Sequence, residues 1–127
     1  IMDKPKGFKE RIVEGAGNLS GGQKQRLSIA RALVRKPDIY IYDDSFSALD
    51  MKTDAVLRQA LKPEVKNAIV IIVAQRVSTI MDADQILVLD EGRLAASGRH
   101  EELLKTCPLY YEIAASQLSE EELQNVC

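Results

Sequence analysis

Two adjacent carboxylates, Asp43 and Asp44, follow a short apolar run at Ile39–Tyr42. The run consists entirely of strand formers, which is typical of a buried parallel strand. Ligands bind at the carboxyl ends of parallel strands, where paired carboxylates suit a divalent cation or acid–base chemistry. The alternative is a solvated strand end at which Asp44 only starts a turn.

A second candidate site lies directly before a helical pattern. Ser20 and Gln23 have the spacing of a reciprocal capping box, and Gly21 and Gly22 lie between them. The first N–H groups of a helix have no intrahelical partners, and glycines let a ligand come close to the backbone. The pattern therefore favours an anion, phosphate above all. The alternative is a serine that only caps the helix and glycines that only shape a turn.

Two helices position these groups. Apolar residues keep helical spacing over Gly21–Arg35, and Pro37 ends the pattern. Beyond the carboxylates, Asp50 is a candidate N-cap for a helix over Lys52–Leu61 that ends at Pro63.

A second apolar run, Ile69–Ala74, predicts another buried strand, and Gln75 stands at its end. Two strands separated by a helix form a parallel crossover unit. We therefore expect Asp43, Asp44 and Gln75 to share one rim of the sheet.

The ends of the chain carry smaller elements. Residues Ile1–Asn18 predict an irregular segment, and the acidic tail from Ser119 is expected to fray.

His100, the only histidine, precedes two glutamates and is interpreted as a surface residue, whereas Tyr40 and Tyr42 are interpreted as core residues. The remaining predictions are a short helix at Val77–Asp82, a hairpin of Gln85–Leu89 and Arg93–Ser97, and amphipathic helices at His100–Lys105 and Pro108–Leu118.

Composition narrows the function classes. The chain has 127 residues, 46% of them apolar, which suits one domain. The net charge is −2 with basic and acidic residues interspersed, so there is no electrostatic footprint for nucleic acid. No apolar run reaches the roughly eighteen residues that span a bilayer, so we expect any membrane link to come through a partner. Cys107 and Cys127 lack the spacing of a metal site or a disulfide framework, which favours a reducing compartment.

The order of these motifs resembles the second half of the nucleotide-binding domain of ATP-binding cassette (ABC) transporters, and of exporters in particular. Leu19–Gln23 matches the family's signature motif, and Ile39–Asp43 is similar to its Walker B strand. Ser47–Asp50 is similar to its D-loop. Gln75 stands where the family places its switch histidine.

The resemblance implies an α/β fold: part of a P-loop NTPase core with parallel strands, flanking helices, a C-terminal hairpin and an incomplete sheet. Residues 1–36 would end the helical subdomain, 37–118 would complete the catalytic core, and 119–127 would form a tail.

The resemblance also implies ATP and Mg²⁺ as ligands. Asp43 would bind the metal, while Asp44 and Gln75 would occupy catalytic positions. The signature would act on ATP held by a second nucleotide-binding domain in a head-to-tail dimer, at the cytoplasmic face of the membrane beside a transmembrane domain. The nucleotide-binding positions would be Ser20, Gly21, Gly22, Gln23, Ser47 and Asp50.

Two positions depart from the family pattern. Asp44 replaces a glutamate and is one methylene shorter, and a displacement of about 1 Å can cost roughly a hundredfold in rate. Gln75 replaces a histidine and cannot carry a positive charge. Together they suggest slow turnover in the degenerate subunit of a heterodimeric exporter. The alternative is tolerated drift in an ordinary homodimer.

No Gly-x-x-x-x-Gly-Lys-Ser/Thr pattern occurs, so we expect the phosphate-binding loop upstream of Ile1. The isolated chain is expected to lack ATPase activity and to self-associate through its unpaired sheet edge. Two alternative functions stay open. One is a non-catalytic regulatory module that completes a partner's site, and the other is a chromosome-handling or repair ATPase with a similar signature.

Overall fold

The computed structural model describes residues 5–124, which divide into two compact units between Val73 and Ala74. Cys127 and the end of the predicted tail lie outside the described residues. Helices and strands alternate, which confirms the α/β fold class. The elements are α1 (Gly21–Val34), β1 (Ile39–Asp43), α2 (Met51–Glu64), β2 (Ile69–Val73), α3 (Val77–Ile80), β3 (Ile86–Asp90), β4 (Arg93–Gly98), α4 (His100–Thr106), α5 (Pro108–Ala115) and α6 (Glu120–Gln124).

The first unit contains the predicted crossover. Strands β1 and β2 pair in parallel, with Ile39 opposite Ile69 and Asp43 opposite Val73. Helix α2 connects them, as expected for parallel neighbours. Tyr40 belongs to the core of this unit, as predicted. The core consists of Ile29, Tyr40, Tyr42, Phe46, Leu49 and Leu61.

Only one face of this two-stranded sheet is covered. Tyr40 and Tyr42 are buried, but the alternate residues of β1 are exposed. The predicted burial of these strands therefore holds on one face only, because helices pack on that face, and the exposed apolar face agrees with the expectation of an incomplete sheet. The other face carries five branched aliphatic side chains that are 47 to 67% exposed: Ile39, Ile41, Ile69, Ile71 and Val73.

Helix α2 runs further than the sequence predicts. It begins at Met51 behind the N-cap Asp50 and continues to Glu64, with Pro63 in its last turn. Proline lacks an N–H and cannot donate to the preceding turn. The Val65 N–H closes the helix instead, by donating to the Leu61 carbonyl at 3.1 Å.

The second unit is built around a hairpin. Strands β3 and β4 are antiparallel and form their own two-stranded sheet. Glu91 and Gly92 both have positive φ, as a two-residue hairpin turn of this hand requires. The hairpin packs with the helices around a core of Val77, Ile86, Val88, Leu103, Cys107, Tyr110 and Ala114. No helix within residues 5–124 has both the length and the apolar character needed to cross a bilayer.

His100 belongs to the interior of this unit, so its interpretation as a surface residue is wrong. It is 5% exposed, and its Nδ1 lies 2.8 Å from the Tyr110 hydroxyl. Burial lowers the pKa of His100, partly offset by the nearby charges of Glu101 and Asp82. Burial also raises the pKa of Tyr110 to about 12. The neighbouring glutamates suggested a solvated helix end, but Tyr110 packs on the ring from ten residues away.

The acidic tail begins with a capped helix rather than frayed chain. The Glu122 N–H donates to the Ser119 hydroxyl at 3.3 Å, and the Ser119 N–H donates to the Glu122 carboxylate at 2.8 Å. This reciprocal pair is a capping box at the start of α6. The Ser119 N–H and the Ser119 hydroxyl both donate to the Glu122 carboxylate at 2.8 Å, and these two bonds hold the pKa of Glu122 below its usual value.

Candidate functional site

The two carboxylates lie where β1 ends. Asp43 is the last residue of the strand and is exposed, opposite Val73 of β2. Asp44 has φ +47°, a left-handed conformation that aspartate adopts more readily than most residues. Its N–H donates to the Val73 carbonyl at 3.0 Å, which extends the ladder by one bond beyond the strand. The edge of the parallel sheet therefore presents both acids to solvent.

The tip of α1 has the geometry predicted from its sequence. The Ser20 hydroxyl accepts the Gln23 N–H at 3.2 Å, and the Gln23 side chain accepts the Ser20 N–H at 2.9 Å. The capping box is confirmed. Ser20 and Gly21 are exposed, so the positive end of a 14-residue helix faces solvent.

The two glycines of the signature motif let the tip of α1 lie close to the loop after β1. A β-carbon on Gly22 would lie 3.1 Å from the Ala48 carbonyl oxygen and 3.1 Å from a methyl carbon of Leu49. A β-carbon on Gly21 would lie 3.4 Å from that of Ala48, which is an ordinary contact. The helix tip thus packs on the loop after β1. Access for a ligand is not the only reason for glycine here.

That loop also uses its own polar groups. The Asp50 carboxylate accepts the Thr53 N–H at 2.9 Å and caps α2, as predicted. Hydrogen bonds from the Thr53 side chain and from its N–H hold the pKa of Asp50 below its usual value. The Ser47 hydroxyl donates to the Asp44 carbonyl at 3.1 Å. Ser47 and Asp50 are exposed, so both can also meet a ligand.

Gln25 joins the two parts of the site and was not among the predicted residues. Its Nε2 donates to the Asp44 carbonyl and to the Ser47 hydroxyl, both at 3.1 Å. Its Oε1 accepts the Ala48 N–H at 3.0 Å. The helical spacing Gly22, Gln25, Ile29 places it on the inward face of α1, and this signal was available in the sequence.

Gln75 belongs to the second unit and is exposed. Its carbonyl accepts the Gln117 Nε2 at 2.9 Å, and the Gln117 Oε1 accepts the Val77 N–H at 2.9 Å. Gln117, which was also not predicted, therefore holds the backbone on both sides of Arg76. The predicted meeting of Gln75 with Asp43 and Asp44 stays a prediction.

A magnesium ion at these residues would need donors beyond the protein, from a bound phosphate and from water. Within residues 5–124, no three His, Cys, Asp or Glu side chains are grouped to hold a metal. Mg²⁺ commonly uses one or two carboxylates together with substrate phosphates and water. Asp43, with Asp44 beside it, supplies that donor type at the sheet edge.

Comparison with known proteins supports the family resemblance. Residues 3–47, which include the helix tip and the two carboxylates, match the family model described as ABC transporter. The chain is 50% identical over 111 residues to an uncharacterized ABC transporter ATP-binding protein of Mycobacterium bovis, which covers 87% of this chain and 19% of that protein. By sequence, the chain is similar to ATP-binding proteins of ABC transporters. YfiB, an uncharacterized ABC transporter ATP-binding protein of Bacillus subtilis, is 46% identical over 121 residues, or 95% of this chain and 21% of that protein.

A solved ABC exporter has the same fold. The structure of a bacterial Atm1-family ABC exporter with ATP bound matches 93% of this chain with a TM-score of 0.87 and 42% sequence identity. The match covers 21% of the exporter chain. The chain thus spans about a fifth of the length of these two bacterial relatives. The resemblance and the partial ABC ATPase fold inferred from the sequence are confirmed.

Proposed function

We propose that this chain is part of the ATP-binding subunit of an ABC exporter, which uses ATP hydrolysis to export small molecules. Within that subunit, residues 1–36 would end the helical subdomain and residues 37–118 would belong to the catalytic core. The subunit works at the cytoplasmic face of the membrane with a transmembrane domain and a second nucleotide-binding domain. The solved exporter with ATP bound supports this proposal by its similarity.

One observation carries the proposal. The tip of α1 and the end of β1 form a single packed cluster, joined by Gln25 and by the contact of Gly22 with Ala48. The helix tip presents N–H groups that suit a phosphate of the nucleotide held by the second domain, and the strand end presents carboxylates that suit the cation of this subunit's own nucleotide. Phosphoryl transfer depends on such positioning and charge neutralisation more than on covalent chemistry.

Each residue has a role in this proposal. Asp43 holds Mg²⁺, which neutralises charge on the phosphates when bound. Asp44 accepts a proton from, and orients, the attacking water. Ser20, Gly21, Gly22 and Gln23 contribute the helix tip to ATP held by the second domain, and Ser47 and Asp50 line the same interface. Gln75 orients the γ-phosphate or the attacking water by hydrogen bonding.

The experiment measures phosphate release by the complete transporter, assembled in lipid with a second domain whose own hydrolytic site is inactivated. Asp43→Asn is expected to lower turnover about a hundredfold or more, because the metal loses its protein carboxylate. Asp90→Asn is the matched control, since Asp90 also ends a strand and is exposed. Equal turnover in both variants would contradict the proposal.

We further propose that the site formed by Asp44 and Gln75 is the slow one of a heterodimer. The shorter acid and the uncharged amide weaken the same step, which favours a degenerate site over unrelated drift. Asp44→Glu combined with Gln75→His should then raise turnover about tenfold to a hundredfold. The same pair in an Asp43→Asn background should stay inactive. Unchanged turnover in the double variant would rule out the degenerate site and leave the ATPase proposal standing.

A further inference from the structure

We infer that Gln25 is a positioning residue for ATP hydrolysis, which ties the signature helix to the backbone of Asp44 and to the D-loop. The inference rests on the proposed function and adds to it a residue that touches neither nucleotide nor metal. Its carboxamide satisfies three groups on one loop: the Asp44 carbonyl, the Ser47 hydroxyl and the Ala48 N–H.

The backbone at Asp44 needs such support. A non-glycine residue with φ +47° is strained, and a strained conformation persists only when its surroundings fix it. The Asp44 N–H is held by the Val73 carbonyl of β2. The Asp44 carbonyl is held from the other side by Gln25 and Ser47. Gln25 therefore supplies a side-chain contact that reaches the Asp44 carbonyl from another element.

The position of Gln25 on α1 couples the tip of this helix to the loop after β1. Gln25 lies one turn beyond Gly22, whose backbone packs against Ala48, and one turn before the buried Ile29. The helix tip and the loop after β1 are thus fixed to each other at two adjacent points. A displacement of the signature tip by the nucleotide it binds moves the peptide group of Asp44 with it.

The effect of removing this side chain should fall on rate more than on folding. Its hydrogen bonds lie at the surface, where water replaces them at little cost. The geometry of a catalytic carboxylate is less forgiving, because displacements of about 1 Å cost large factors in rate. Loss of Gln25 should therefore lower kcat while leaving ATP binding and thermal stability nearly unchanged.

The first measurement is ATP turnover, as a function of ATP concentration, by the complete transporter with the second domain's own hydrolytic site inactivated. Gln25→Ala and Gln25→Glu should both lower kcat about tenfold to a hundredfold with KM for ATP nearly unchanged. Both remove the donors that reach the Asp44 carbonyl. Gln59→Ala, an exposed glutamine of α2, is the matched control and should behave as wild type. Melting temperatures of all three variants identify any general loss of folding.

The second measurement is amide hydrogen exchange at Ala48, followed by mass spectrometry in the complete transporter. Gln25→Ala removes the acceptor of the Ala48 N–H and should increase its exchange rate. Gln25→Glu keeps a carboxylate oxygen at that place and should preserve most of the protection. The two variants therefore separate the contact to Ala48 from the contact to Asp44, because only Gln25→Glu retains the first.

Full activity of Gln25→Glu would overturn the inference, since Asp44 would then not need the donor. Parallel losses of kcat, ATP affinity and melting temperature would also overturn it and leave a purely structural glutamine. A wild-type transporter that hydrolyses no ATP would defeat the proposed function instead. In that case Ala48 exchange still decides whether Gln25 holds the loop: unchanged exchange in Gln25→Ala refutes this.

Discussion

The two units of the molecule hold their functional loops in the same way but support them differently. Gln25 in the first unit and Gln117 in the second each use both ends of a side-chain amide on a loop that follows a strand. Gln117 comes two residues after α5, a helix whose Tyr110 and Ala114 are fully buried in the core. Gln25 extends from a helix beside a sheet whose second face is uncovered.

The difference shows where each loop obtains its rigidity. In the second unit the loop at Gln75 rests on a well-packed apolar core that includes Val77 and Leu103. In the first unit the loop at Asp44 depends on surface hydrogen bonds and on a close contact of Gly22. Substitutions in the second unit should therefore act on stability, and substitutions in the first on the geometry of the site.

The largest expected effect tests the core of the second unit. Leu103→Ala should lower the free energy of unfolding by about 3 kcal/mol, because a side chain only 1% exposed leaves a cavity. Leu87→Ala on the hairpin, 60% exposed, should cost well under about 1 kcal/mol. Urea denaturation followed by circular dichroism measures both. Similar losses in the two variants would remove the contrast between core and surface.

The next largest effect tests how Gln117 holds the backbone on both sides of Arg76. Gln117→Leu should cost about 1–3 kcal/mol locally, since it leaves the Val77 N–H and the Gln75 carbonyl unpaired. Gln117→Glu keeps the acceptor for Val77 and should lose less. Amide exchange of Val77 reports the change directly. If exchange at Val77 is the same in wild type and Gln117→Leu, then the segment is held by packing alone.

A smaller effect distinguishes the two signature glycines. Gly22→Ala should destabilise by about 1 kcal/mol, because its new methyl group meets the backbone of Ala48 at 3.1 Å. Gly21→Ala meets only a methyl group at 3.4 Å and should be tolerated. Thermal melts of the two variants compare them. A more stable Gly22→Ala would mean that helix propensity outweighs the contact.

The smallest effect is the pH dependence of the buried histidine. The folded pKa of His100 is lowered, so the unfolded chain takes up a proton first on acidification. Stability should be full above the ordinary pKa of about 6.5 and should fall below it. Glu101 and Asp82 oppose the shift and keep the loss modest. Denaturation between about pH 5 and 7.5 should show this slope in wild type, and His100→Phe should remove it.

Local signals were predictable and distant contacts were not. The capping box at Ser20 and Gln23, the N-cap Asp50 and the parallel crossover follow from spacing within a few residues or from strand order. Gln25 was missed because its partners lie 19 to 23 residues away in the chain. His100 was misjudged for the same reason, since Tyr110 buries it.

The left-handed backbone at residue 44 ties chemistry to folding at a single position. Aspartate tolerates positive φ better than glutamate does, because its short side chain can bond to nearby backbone groups. A glutamate at residue 44 would extend further toward a bound water but would adopt positive φ less readily. Under the proposed role of Asp44, this position thus trades reach toward the attacking water against backbone stability.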